Sequence, residues 1–228
     1  MNAKVASRNV ARRWGAGTAA IARLLIAADR PLTGVAIADA VGVSQPRSSQ
    51  VLKQFSTWDA VQATEDGYVA EAEALLNLYE RRSRPTLVQP ESYWYSIRPM
   101  IEQAEVLVRR ALQENATIAF SADLGPDLLV PWRHPTLAVV YTDVQPASIA
   151  TGFVPAEGRA DASVIVRWTS DTTLLTPTPP WPQVVDGIPL TDPVQQWRDL
   201  LDLGGDDRRE AADRLRVAIV ERSLPGAR

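Results

Sequence analysis

The segment ARLLIAADRPLTGVAIADAVGVSQPRSSQVLKQF, residues 22–55, predicts two helices joined by a sharp turn. The first of these helices begins after Thr33 and ends at Gly42, a residue type that adopts the left-handed backbone region at little steric cost. Ser44 then supplies a side-chain oxygen suited to the N-cap of the second helix, and Pro46 suits its first turn because no amide partner is lost there. This order predicts a helix-turn-helix.

The second helix is expected to have two different faces. Ser48, Leu52 and Phe55 follow one another at spacings of four and three residues, and helical geometry therefore places them on one inward face. Any small helical hairpin has a polar solvent face, but arginine and glutamine can also pair with base edges in the major groove, and serine can contact phosphate. We therefore predict that double-stranded DNA is bound by the polar residues Ser44, Gln45, Arg47, Ser49, Gln50 and Lys53.

The flanking sequence supplies the remainder of a small domain. A helix predicted over residues 17–28 has apolar side chains at helical spacing and gives the two-helix segment a third partner. Residues 60–63 and 68–70 flank Thr64-Glu65-Asp66-Gly67, and an Asp-Gly turn between short apolar runs indicates a β-hairpin. Three helices followed by a hairpin is the winged-helix order. This part of the chain resembles bacterial winged-helix repressors, which have an aliphatic residue at the position of Ser48.

Formal charge also distinguishes the first part of the chain from the rest. Residues 1–60 contain eight basic and three acidic side chains, a formal charge of +5, whereas the remainder carries −8. A basic front end is expected where a protein must displace counterions from phosphate. Arg12 and Arg13 are further candidate DNA contacts in a basic arm, although an ordinary solvated terminus explains the arm equally well. The basic residues of this arm are Lys4, Arg8, Arg12 and Arg13.

Composition limits the other possibilities. A chain of 228 residues with 46% apolar content is long enough for two domains of ordinary size. The absence of cysteine excludes disulfides and thiolate metal sites, and it fits a reducing compartment. No stretch approaches the roughly 20 consecutive apolar residues of a membrane span, and the N-terminus lacks the apolar core of a signal peptide. We therefore expect a cytoplasmic protein with no membrane partner.

The second half is expected to mix helices and strands. Helices are predicted over residues 71–82 and 99–113, and β-branched residues at a period of two then predict strands over 117–120, 137–142, 149–154 and 163–168. Residues 92–98 are interpreted as a turn whose aromatic side chains pack at a domain junction, and the proline-rich residues 171–193 as an extended loop held by Trp181. The predicted fold class is α+β, with a winged helix-turn-helix domain over residues 1–85 and a mixed α/β domain over residues 86–228.

Two well-delimited helices are expected to close the chain. Asp192 can cap the first of them with Pro193 at its first position, and Gly204-Gly205 ends it. Asp207 and Glu210 have the spacing of a capping box at the start of the last helix. The residues of that helix predicted to face inward are Ala211, Leu215, Ala218 and Ile219.

The C-terminal stretch contains a distinctive series of structural residues: Pro189 to Pro193, Asp199-Leu200-Leu201, Gly204-Gly205, and Ala211-Ala212 with Leu215. In this series it resembles the AbiEi family of antitoxins from type IV toxin–antitoxin systems, whereas residues 57–135 match that family only in outline. The resemblance implies a repressor whose N-terminal domain binds inverted repeats in the promoter of its own operon. It also implies that the C-terminal domain counteracts a nucleotidyltransferase-like toxin encoded by the adjacent gene.

Other function classes remain open or are disfavoured. A ligand-responsive winged-helix regulator without a toxin partner is the main alternative, and palindromic half-sites favour a homodimer, although monomers binding each repeat remain possible. A nucleotidyltransferase would need a Gly-Ser followed by paired metal-binding carboxylates; Glu71 and Glu73 have that pair spacing but point in different directions on a helix. His134, the sole histidine, has no nucleophile elbow nearby. We expect neither catalysis nor a cofactor nor a bound metal.

Overall fold

The computed structural model describes residues 13–83, 91–132, 134–177, 181 and 183–224. These residues form mixed α and β structure, which confirms the predicted α+β class. The predicted order of three helices and a hairpin is present in the first part of the chain. Its elements are α1 (Ala16–Ala27), α2 (Gly34–Val41), α3 (Gln45–Ser56), β1 (Val61–Thr64), β2 (Gly67–Ala70) and α4 (Ala72–Arg82).

Local signals position α2 and α3 as predicted. The Thr33 side chain accepts a hydrogen bond from the Ala36 backbone N at 3.2 Å, and Gly42 ends α2 in the left-handed region at φ +71°. Ser48 is fully buried on α3, and its hydroxyl donates to the Gly34 carbonyl at 3.2 Å. That bond satisfies a polar group at a position where an aliphatic residue would only pack.

The hairpin is attached to the helices by a short additional pairing. Thr64 pairs with Gly67 at the tip, and Leu32 exchanges two backbone hydrogen bonds with Tyr68, at 3.1 and 2.9 Å. Gly67 has φ +137°, and a Cβ there would lie 2.6 Å from the Leu32 carbonyl. Glycine is therefore required on both conformational and steric grounds.

The second part of the chain is built on a five-stranded mixed sheet. Its strand order is β4-β5-β7-β3-β6, with β5 and β7 parallel and the other pairs antiparallel. The elements are β3 (Glu91–Tyr95), α5 (Met100–Gln113), β4 (Ile118–Asp123), α6 (Leu124–Leu129), β5 (Ala138–Thr142), α7 (Pro146–Ile149), β6 (Val154–Pro155), β7 (Val164–Trp168), α8 (Thr172–Leu175), β8 (Val184–Val185), β9 (Ile188–Pro189), α9 (Pro193–Leu203) and α10 (Asp206–Val220).

Two predictions for the sheet were wrong. The interpretation of residues 92–98 as a turn is corrected by β3, which lies between β7 and β6 and whose aromatic residues have high strand propensity. The strand predicted over 149–154 is mostly absent from this described region, because Pro146 begins the short helix α7 and only Val154–Pro155 pairs with β3.

The loop predicted over residues 171–193 contains regular structure at both ends. The helix α8 begins after Asp171, and β8 and β9 form a small antiparallel hairpin. Trp181 is buried, as predicted. Three of the prolines on which the prediction rested, Pro179, Pro180 and Pro182, lie outside the described residues.

The observed ends of α9 agree with the prediction, but the start of α10 does not. An oxygen of Asp192 accepts from the Gln195 backbone N at 2.9 Å, and Gly204 follows the end of α9. The capping box at Asp207 is wrong because α10 already begins at Asp206, after an N-cap glycine that has no side chain. In α10 Ala212 is buried and Ala211 only half-buried.

One apolar core joins the first helices to the sheet and the closing helices. It includes Leu25 of α1, Leu76 of α4, Phe120 of β4 and Trp197 of α9. The helix α5 contributes Leu107 to this core, whereas its Leu112 is 73% exposed. The predicted domain boundary at residues 85/86 lies outside the described residues.

Candidate nucleic-acid interface

The two faces of α3 lie where the sequence predicts them. Ser48, Val51, Leu52 and Phe55 are buried against α1 and α2 or the neighbouring core. The exposed residues on the rest of the helix and at its start include Ser44, Gln45, Arg47, Ser49, Gln50 and Lys53. The candidate residues on this helix are therefore brought together on one accessible surface, which we call the α3 face.

Arg47 has contacts that the sequence did not predict. Its guanidinium donates to the Gln50 side-chain oxygen at 2.9 Å and to the Thr18 hydroxyl at 2.8 Å. Thr18 lies on α1 and is buried, so Arg47 links the exposed side of α3 to the first helix. A base contact by Arg47 would require these hydrogen bonds to be exchanged for bonds to the base.

The beginning of α3 is suited to an anion. Ser44 occupies the N-cap with an extended backbone, and its carbonyl accepts from the Ser48 backbone N at 3.0 Å. The predicted side-chain cap is wrong, because within the described residues the Ser44 hydroxyl makes no cap hydrogen bond. The first turn contains no acidic residue. The partial positive charge of the helix N-terminus is therefore not offset by a carboxylate in that turn.

The hairpin tip has the opposite electrostatic character. Its two loop residues, Glu65 and Asp66, are both exposed and acidic. Carboxylates at this position disfavour approach to phosphate, because like charges repel. The tip is therefore less suited to a nucleic-acid contact than the α3 face.

The N-terminal arm is described only from Arg13 onwards. Arg13 is exposed, and the next residue, Trp14, donates its backbone N–H to the Arg82 carbonyl at 3.0 Å. The Trp14 ring also lies 5.1 Å from the Phe55 ring, centroid to centroid, which connects the start of α1 to the buried side of α3. Arg12, Lys4 and Arg8 lie outside the described residues.

A buried ion pair connects α1 to the C-terminal part of the chain. Arg23 is 4% exposed, and its Nε lies 2.7 Å from an Asp192 carboxylate oxygen. The same guanidinium donates to the Tyr79 hydroxyl at 3.2 Å and to the Thr173 hydroxyl at 2.6 Å. Burial alone would lower the pKa of Arg23, but Tyr79, Asp192 and Asp171 raise it above its ordinary value, so the guanidinium stays charged.

A second buried cluster is connected to the first through Gln195. The fully buried carboxylate of Asp199 accepts from Arg167 at 2.7 Å, from Ser121 at 2.6 Å and from Tyr141 at 3.0 Å. Burial and the negative charge of Asp199 raise the pKa of Tyr141, so this hydroxyl remains protonated as a donor. Gln195 joins the two clusters, since it accepts from Tyr79 and donates to Tyr141.

We call these two connected clusters the junction network, which includes Arg23, Tyr79, Ser121, Tyr141, Arg167, Asp171, Thr173, Asp192, Gln195 and Asp199. Sequence reasoning missed it. A signal was present in β7, where Arg167 is a single charge within the otherwise apolar VIVRW, residues 164–168. Its partner Asp199 is distant in sequence. From the sequence, that aspartate was interpreted only as part of the Asp199-Leu200-Leu201 motif.

The described residues contain neither a metal-binding cluster nor a membrane-spanning helix. No group of three His, Asp or Glu side chains among them is arranged to hold a metal ion. None of the described helices combines the length and the apolar character needed to cross a bilayer. Comparisons of the chain with protein-family models, with curated proteins and with solved structures find no match.

Proposed function

We propose that this protein is a sequence-specific DNA-binding transcriptional repressor with an N-terminal winged helix. The α3 face carries the proposal, because it combines exposed arginine, glutamine, serine and lysine on a helix whose other side is anchored in the core. Major-groove readout needs such a helix, held rigidly and rich in donors.

In the proposed complex, α3 lies in the major groove. Gln45, Arg47 and Gln50 contact base edges, since amide and guanidinium groups can form paired hydrogen bonds with adenine and guanine. Ser44, Ser49 and Lys53 contact the phosphate backbone, supported by the positive end of the helix. Arg47 exchanges its bond to Thr18 for a base contact on binding.

Because the hairpin tip is acidic, we do not place it against the DNA backbone. Glu65 and Asp66 turn away from phosphate in the proposed complex, and the basic arm represented by Arg12 and Arg13 supplies the additional backbone contacts. A homodimer would place two α3 faces on the inverted repeats of an operator.

The proposed biological setting is a type IV toxin–antitoxin operon in the cytoplasm, with a nucleotidyltransferase-like toxin as the partner. This part rests on the resemblance of residues 189–215 to AbiEi antitoxins. Co-expression with the product of the adjacent gene tests it: the repressor should relieve growth inhibition by that product. A neighbour that is harmless when expressed alone would favour a regulator without a toxin partner.

DNA binding is tested with the full chain. We expect a fluorescein-labelled fragment from immediately upstream of its own gene to bind more tightly than a shuffled fragment of equal length, with affinity falling steeply as salt rises. The variant Gln45→Ala/Gln50→Ala should remove the preference. Gln113→Ala/Gln145→Ala removes two exposed glutamines outside α3 and is the matched control. Equal binding of both fragments by the unaltered chain would contradict the proposal.

A further inference from the structure

Exposed apolar side chains are concentrated at the start of α5 and along its outer side. Ile97, shortly before this helix, is 88% exposed, and Leu112 near its end is also largely exposed. Tyr95 at the end of β3 and its strand partner Val154 of β6 are exposed as well. With Ile101, these residues make up half of the large apolar side chains that the described part of the chain exposes. Such a concentration is typical of an interaction surface.

The helix α5 is apolar on a second side, besides the side that packs against the core. Its buried side chains include Ala104 and Leu107. Ile101 and Leu112 are exposed and Val108 is half-buried, and intervals of seven and four residues place these three side chains in one row along the helix. We call them the α5 stripe. A helix that packs only within its own chain needs one apolar side, so the second one indicates a partner.

The charges beside the α5 stripe change sign along the helix. Glu102 and Glu105 lie in its first half and Arg109 lies in its second half, and all three are exposed. Glu105 and Arg109 are 3.7 Å apart, and their side chains are 55% and 62% exposed. An ion pair this exposed is weak, so a partner can compete for both charges. The best complement is a helix with the opposite order of charges, and α5 itself has that order when its direction is reversed.

We infer that α5 packs antiparallel against α5 of a second copy of this chain, which assigns an interface to the homodimer of the proposed function. If Ile101 lies level with Leu112 of the second copy, Arg109 falls between the levels of the second copy's Glu102 and Glu105. A two-fold axis produces each of these contacts twice. Parallel helices would instead place like charges level with each other, where they repel.

The size of the surface predicts a reversible dimer. The helix has 14 residues and is therefore about 21 Å long. Two helices of this length bury less than the roughly 800 Å² per partner of a standard interface. The exposed Tyr95 and Ile97, which precede the helix, extend the apolar surface at its start. We expect association that depends on concentration in the micromolar range.

Sedimentation velocity of the full chain without DNA tests this interface. Between about 1 and 200 µM we expect a monomer–dimer equilibrium with a dissociation constant below about 100 µM. Leu112→Ser should raise that constant at least about tenfold, because a symmetric dimer loses two leucine contacts. Val217→Ser alters an exposed apolar side chain of α10 and is the matched control, with no expected change.

Charge reversals test the antiparallel arrangement. Arg109→Glu and Glu105→Arg each place like charges opposite one another, so each variant alone should dimerise about three- to tenfold more weakly. An equimolar mixture of the two variants should associate more tightly than either one, because opposite charges then face each other. Rising salt should reduce this difference. The double variant Glu105→Arg/Arg109→Glu should recover dimerisation, and circular dichroism checks the helix content of all variants.

Three outcomes would overturn the inference. A chain that stays monomeric at the highest concentration would assign the α5 stripe to a different protein. A dimer unaffected by Leu112→Ser would have its interface elsewhere. A mixture that associates no better than its components would exclude the antiparallel pairing. Because these measurements contain no DNA, a dimer that binds no DNA would contradict only the proposed DNA-binding function.

Discussion

The α3 face and the junction network use the same polar residue types in opposite ways. On α3, Arg47 and Lys53 are exposed, and the polar atoms of this face are accessible to an external partner. In the junction network, Arg23 and Arg167 are at most 4% exposed and their charges are paired with carboxylates of the same chain. Burial makes an unpaired charge costly, whereas an exposed charge is solvated. Charge type alone therefore does not distinguish binding residues from structural ones.

The comparison predicts a separation of effects. Variants in the junction network should change the free energy of unfolding, and variants on the α3 face should change DNA affinity while leaving that free energy nearly unaltered.

The largest effect is expected for Asp199→Ala. Removing this carboxylate takes the 2.7 Å partner from the buried Arg167 and leaves that guanidinium with the partly exposed Glu91 and Asp202, and breaking a buried pair costs about 3–5 kcal/mol. Urea denaturation measures the loss. The exposed Asp213→Ala on α10 is the control, with an expected change within about 0.5 kcal/mol.

The added change Arg167→Met tests the reason for that loss. Since it removes the buried guanidinium that has lost Asp199, the double variant should be less destabilised than the two single losses combined. A loss below about 1 kcal/mol for Asp199→Ala would show that the network contributes little to stability.

Arg47→Ala should weaken binding to the upstream DNA by about 1–3 kcal/mol, because a bidentate base contact is lost. Fluorescence anisotropy measures this effect. Thr18→Val is the decisive comparison, since it removes the internal partner of Arg47 but keeps the guanidinium. DNA binding by Thr18→Val should be nearly normal; if it weakened as much as Arg47→Ala does, Arg47 would act by positioning α3 rather than by contacting a base.

Glu91→Gln should have a pH-dependent effect on stability. Burial alone would raise the pKa of Glu91, but Arg159 and Arg167 lower it below its usual value. A lowered folded-state pKa means that the stabilisation is present above the ordinary glutamate pKa of about 4.3 and is lost as the pH falls through the folded-state value.

At pH 7 the variant should lose about 1 kcal/mol, a modest figure because Glu91 is partly exposed. Denaturation at pH 7 and at decreasing pH below about 4 should show the difference shrinking. Glu102→Gln on α5 changes an exposed glutamate and serves as the control. A deficit that grew on acidification would contradict the predicted sign.

The smallest effect is expected for Lys53→Ala. Loss of one phosphate contact should reduce the salt-dependence slope of DNA binding by about 1, with a similar effect on every DNA sequence. Titrations at several salt concentrations measure the slope. Gln54→Ala, an exposed neutral neighbour, should leave the slope unchanged. A change in sequence preference would instead assign Lys53 to base contact.

Sequence reasoning succeeded where the deciding interactions are local. The Thr33 cap, the left-handed Gly42 and the proline at the start of α3 act within a few residues, and the predicted bounds of these helices are close to those observed. The strand β3 was missed because its pairing partners lie on β7 and β6, far along the chain. The Arg47–Thr18 bond escaped prediction for the same reason, since it joins separate helices.

The sequence by itself determined where the helices of the first part begin and end, and which side of α3 is polar, because capping, backbone sterics and helical periodicity act over short distances. Only the tertiary structure decided that Glu91 lies opposite Arg167 and that Asp199 accepts hydrogen bonds from both Arg167 and Tyr141. It also decided that the turn before α3 borders a cleft. Those contacts depend on strand register and on the packing of distant elements, which local preferences do not specify.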